Sequence, residues 1–143
     1  MSQNGAISDI LLMPQEEIQQ LLDKPDDADG LRKRVNERMA YRVKDGIHMD
    51  VTDARGRRRR VPVAPRDISR CGIGMLHCGA LSGGTNVVVH LPSSAGDTMS
   101  VPGYVVRCFG LKGNVYDVGV SFEQEIEPAP ILAHARYLQS KRH

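Results

Sequence analysis

Two short clusters in this chain combine residue types that recognise anions and purine edges. The first is Arg38-Met-Ala-Tyr-Arg42 and the second is Asp67-Ile-Ser-Arg-Cys-Gly72, with twenty-four residues between them. A guanidinium offers forked donors that match phosphate oxygens two at a time, and its plane can stack on a base. A carboxylate such as Asp67 accepts from the N1 and N2 hydrogens of guanine, a pairing that adenine does not reproduce. Ser69 can donate to a phosphate or cap a turn. Gly72 permits a positive φ or a close approach of the backbone to a ligand. If the two clusters meet, they describe a site for an anionic, guanine-containing small molecule.

The surrounding periodicity supplies elements that would bring them together. Ile47, Met49 and Val51 alternate with His48, Asp50 and Thr52, which predicts a half-buried strand. Asp53-Ala-Arg-Gly56 is a turn, and a second strand is expected from Arg57 to Ala64, ended by Pro65. A hairpin of these two strands would set its outer ends, and hence both clusters, side by side. Further strands are expected at 73–77, 87–91, 104–109 and 115–122. Six short strands with Gly-rich turns imply an antiparallel barrel or sandwich, in the mainly β class. A short amphipathic helix is expected between Pro14 and Pro25, with Ile18, Leu21 and Leu22 on one face. A second helix is expected over 131–141, with Ile131, Leu132, Ala135 and Leu138 on one face. Both helices could pack on the home domain or dock on a partner. The expected organisation is an N-terminal extension with a polar linker over 1–30, a β-domain over 31–127 and a C-terminal helix over 128–143.

The two clusters resemble the paired signatures of the PilZ domains, bacterial receptors for cyclic di-GMP: Arg-x-x-x-Arg and Asp/Asn-x-Ser-x-x-Gly. Both are complete here, in the family's order, each beside an expected strand. Gly72-Ile-Gly-Met75, Gly103-Tyr-Val-Val-Arg107 and Tyr116-Asp-Val-Gly-Val-Ser-Phe122 are also similar to PilZ segments. The resemblance covers roughly residues 36 to 125. It implies a six-stranded antiparallel barrel that binds cyclic di-GMP on its outer surface. Arg38 and Arg42 would hold phosphates and guanine, and Asp67, Ser69 and Gly72 would line the guanine side. Arg34 and Arg70 could add contacts. In the family an arginine just before the first signature favours a stacked ligand dimer; Glu37 stands there, so one ligand per chain is expected. The resemblance further implies a non-enzymatic receptor that changes conformation and signals to a protein partner.

Composition narrows the alternatives. The chain has 143 residues, 41% hydrophobic and 25% charged, which suits one globular domain. The net charge of +2 conceals an uneven distribution. Residues 1–30 carry seven acids and one base, whereas residues 31–70 carry thirteen bases and five acids. Such a basic stripe favours an anionic partner. With four Tyr, two Phe and no Trp, base stacking along a strand of nucleic acid has little to work with. Gly56-Arg-Arg-Arg-Arg60 could touch nucleic acid phosphates; a solvated strand face, or electrostatic help to a nearby nucleotide site, explains it better. A nucleic-acid-binding barrel and a nucleotide-blind adaptor are therefore the alternatives to the receptor. Cys71, His77, Cys78, His90 and Cys108 fit no paired-ligand spacing, so no metal site is expected. No acid/base pair or activated nucleophile stands out, so no catalytic residues are assigned. No apolar run approaches the roughly 20 residues that span a bilayer. The first nine residues do not read as a signal peptide, and a cytoplasmic location with reduced thiols is expected.

Overall fold

Strict alternation decides which side chains of the first long strand face inward. Ile47, Met49 and Val51 are buried, while His48, Asp50 and Thr52 face out. The computed structural model describes Leu11, residues 13–23 and residues 37–140, the last two by backbone alone. Among the described residues, the helices α1 (Gln15–Asp23) and α2 (Ala129–Ser140) flank seven strands. The strands are β1 (Met39–Ala40), β2 (Ile47–Thr52), β3 (Arg58–Ile68), β4 (Gly72–Cys78), β5 (Asn86–Pro92), β6 (Thr98–Lys112) and β7 (Val115–Phe122). All pairings are antiparallel. In the order β3-β2-β5-β6-β7-β4, closed by β4 on β3, six strands form the expected barrel. The two-residue β1 takes over from β2 along the last residues of β3.

The barrel is filled by Met49, Val63, Met75, Val89, Leu91, Val118 and their neighbours, and Ile131, Leu132 and Ala135 of α2 join this core. Each of the Val, Leu, Ile and Met side chains among them contributes about 1.5–3 kcal/mol on burial. Helix α1 lies on the outside of the wall instead. Its Ile18 and Leu22, with Leu11, cover Ala64, Leu76 and Val115. Both helices therefore pack on their own domain.

Two strands differ from the periodicity reading. Strand β3 does not end at Pro65 but runs to Ile68, because the register shifts between Pro65 and Asp67. A bulge tolerates the proline's missing N–H and leaves Arg66 as the extra residue. Strand β6 starts at Thr98 rather than at residue 104, passing through Pro102 and carrying two register shifts of its own.

His77 of β4 is 5% exposed and its Nδ1 donates to the Gly79 carbonyl at 2.9 Å. Burial, aided by the charge of Arg59 and opposed by the Gly79 bond, holds its pKa below the ordinary 6.5. The folded state thus prefers neutral His77, and the unfolded chain takes up the proton first as pH falls. This contribution to stability is complete above about pH 6.5 and is lost as pH drops through the lower folded value. Replacing His77 with Gln is expected to flatten that part of the acid limb of denaturant midpoint against pH.

Candidate functional site

The site grows from the junction of β1 with the end of β3. Met39 pairs with Ile68 and Ala40 with Asp67, and Tyr41 N–H donates to Arg66 O at 2.9 Å. The Tyr41 ring is buried in the barrel core, and burial raises its hydroxyl pKa, so it stays protonated. A pinned Tyr41 between Arg38 and Arg42 fixes where both arginines leave the backbone. Arg38 Nη1 lies 2.9 Å from Asp67 Oδ1, in a pair that is 26% and 17% exposed. The two clusters, distant in sequence, are therefore joined at this pair.

The other expected residues divide by role. Ser69 Oγ accepts from the N–H groups of Cys71 and Gly72, both at 3.2 Å, and Ser69 N–H donates to Gly72 O at 2.9 Å. Ser69 thus caps its own turn, as the residue type does readily. A Cβ at Gly72 would stand 2.5 Å from Val120 O, so this glycine is required by the β4–β7 pairing. The close approach the structure shows at Gly72 is to a neighbouring strand. Arg42 donates to Arg66 O through Nη1, and through Nη2 to Leu22 O at 2.9 Å. Arg70 is exposed and pairs with Glu125 at 3.2 Å. Arg34 and the polar break at 25–30 lie outside the described residues; Glu37 is exposed.

Periodicity did not reveal the charged layer beneath Arg38. Because the bulge turns both Arg66 and Asp67 outward, Arg66 Nε meets Asp67 Oδ2 at 3.3 Å and its Nη1 donates to Asp117 Oδ2 at 3.0 Å. Arg107 Nη2 completes the row, 3.2 Å from Asp117 Oδ1. Arg38, Asp67, Arg66, Asp117 and Arg107 thus alternate in sign across the barrel wall. Glycines make room for them. A Cβ at Gly74 would lie 2.7 Å from Asp67 Oδ1, and one at Gly119 would lie 3.2 Å from Arg107 Cζ. Gly74 and Gly119 do alternate with buried Ile73, Met75, Val118 and Val120, a pattern that marks a bare outer wall. A cleft of about 370 Å³ lies between β1 and α2, with Met39, Tyr41, Leu132 and Ala135 on its walls and Arg42 and Arg136 also lining it.

The arginine run occupies the other end of β3. Arg58 and Arg60 pair with Asp50 at 3.3 and 3.0 Å. His90 Nε2 approaches the same carboxylate at 3.1 Å. Hydrogen bonds from Arg60 and then His90 hold the Asp50 carboxyl down to about 2. Arg60 precedes Asp67 by seven residues, or about 23 Å along a strand. Screening over roughly 8 Å at physiological salt removes most help from that distance. The run is a solvated strand face.

The barrel is similar to the PilZ domain of YcgR from Escherichia coli, solved with c-di-GMP, with a TM-score of 0.46 and 13% identity over 75% of this chain and 94% of that one. It is also similar to MotI (DgrA), an inhibitor of motility from Bacillus subtilis, with a TM-score of 0.47 and 14% identity over 76% of this chain. The match covers 52% of MotI, so this chain spans about half the length of that protein. No family model and no curated protein matches the chain. Among the described residues no helix is long and apolar enough to cross a membrane.

Proposed function

We propose that this protein is a cyclic di-GMP receptor, non-enzymatic and cytoplasmic, that changes conformation on binding and signals to a protein partner. The observation that carries the reading is the Arg38–Asp67 pair, formed where β1 meets the end of β3 beside the Ser69–Gly72 turn. In the structure these two charges pair with each other. Cyclic di-GMP offers each a replacement: a phosphate for Arg38, and the N1–H and N2–H edge of guanine for Asp67. One ion pair is exchanged for two charge-assisted sets of hydrogen bonds, which are the strong kind. The cleft lined by Arg42 and Arg136 supports an anionic ligand, since pockets for small molecules start near 300 Å³.

The test is isothermal titration with cyclic di-GMP, with GTP and cyclic di-AMP as controls. Saturable, guanine-selective binding near one ligand per chain is expected, and Asp67→Ala should abolish the preference for guanine. No heat at high micromolar ligand would remove the receptor reading in favour of a nucleotide-blind adaptor. The nucleic-acid alternative is weakened by Arg58 and Arg60 already sharing Asp50.

A further inference from the structure

Helix α1 ends with carbonyls that have no partner within the helix, and its last turn has no basic residue of its own. Arg42 supplies the missing cation. Its Nη2 donates to Leu22 O at 2.9 Å and lies 3.5 Å from Asp23 Oδ1, while Nη1 holds Arg66 O. One guanidinium therefore fastens the end of α1 to the end of β3. Elsewhere the helix is held by Ile18 and Leu22 on the wall of Ala64, Leu76 and Val115, and by an exposed Glu17–Lys112 pair at 2.9 Å. A phosphate brought to Arg42 would face the negative end of the helix dipole and the Asp23 carboxylate. A phosphate gripping Nη1 and Nη2 as a fork would need the donors now given to Arg66 O and Leu22 O, and the nearby Asp23 carboxylate would repel it, so its arrival favours departure of α1.

We infer that α1 and the nucleotide compete for Arg42, so that ligand binding frees the apolar wall of Ala64, Leu76 and Val115 for an amphipathic helix of a partner. The inference rests on the cyclic di-GMP reading and identifies the surface it would control. The partner's chemistry follows from the present occupant: apolar side chains four residues apart, as in Ile18 and Leu22, on a short helix. Binding to a site whose competent state is only partly populated weakens apparent affinity in proportion. Undocking α1 should therefore tighten it.

Cys78 reports on the wall, because it is partly buried at the margin of the α1 contact. The experiment measures iodoacetamide alkylation of Cys78 in the full chain, located by peptide mass spectrometry, with and without saturating cyclic di-GMP. Titrations of wild type and Ile18→Asp accompany it. The nucleotide is expected to speed Cys78 alkylation severalfold, and Ile18→Asp to bind roughly tenfold tighter, the scale of one charged hydrogen bond. Wild type that binds with Cys78 reactivity unchanged would overturn the competition and leave the receptor standing. Binding by Ile18→Asp where wild type shows none would be its strongest support. Absence of binding by both proteins would remove the receptor reading and the competition together. Should Ile18→Asp fail to fold, the wild-type alkylation rates still decide.

Discussion

Arg38→Ala is expected to weaken cyclic di-GMP binding by roughly 10–150-fold while leaving the barrel's thermal midpoint almost unchanged. The first effect is the loss of a charge-assisted contact worth about 1.5–3 kcal/mol. The second follows from the partial exposure of the Arg38–Asp67 pair, since ion pairs in contact with water contribute about 0–1 kcal/mol to folding. Two readouts thus separate a ligand residue from a structural one. Arg42→Ala should lose a similar factor, although part of that loss is offset by the departure of α1 from the same place. If titration showed both variants binding like wild type, the site assignment would be wrong, whatever the fold.

Asp117→Ala carries the largest expected cost in stability, about 3–5 kcal/mol. The carboxylate is only 10% exposed and takes hydrogen bonds from both Arg66 and Arg107, whose side chains are 8% and 13% exposed. Without it, two nearly buried guanidinium groups each lose a charged partner. For a domain of this size the loss corresponds to a fall of roughly 10–20 °C in Tm. Replacing Asp117 and Arg107 together with apolar residues of similar volume should recover much of the difference, because the desolvation cost of both charges then disappears. Thermal denaturation of the single and double variants checks this; equal loss in both would mean that packing, not charge, sets the cost.

The legible parts of the fold were those governed by local rules. Alternation placed Ile47, Met49 and Val51 inward, and the hairpin argument brought the arginine cluster to the Asp67 turn. The bulge at Arg66 depends on the register with β4, which no single strand encodes, so Pro65 read as a stop. Arg66, Asp117 and Arg107 escaped for the same reason: their contact needs three strands of a closed barrel. Ser69 and Gly72 were recognised by type, yet their contacts here are with their own turn and with β7. Arg42 was placed beside phosphate chemistry, but its hold on Leu22 is a tertiary contact that amphipathic spacing in α1 does not reveal.

Barrel closure has a consequence for biosynthesis. Arg38 and Asp67 are synthesised before β7, yet the wall that supports them needs Asp117 and Gly119 of that strand. Pairings between strands so far apart in sequence form slowly, because a long loop must close before any bond rewards it. A nascent or truncated chain lacking β7 would carry both residue clusters without the assembled candidate site. The charged row therefore assembles only once β7 has joined the barrel, and a fragment lacking that strand would leave Arg66 without Asp117.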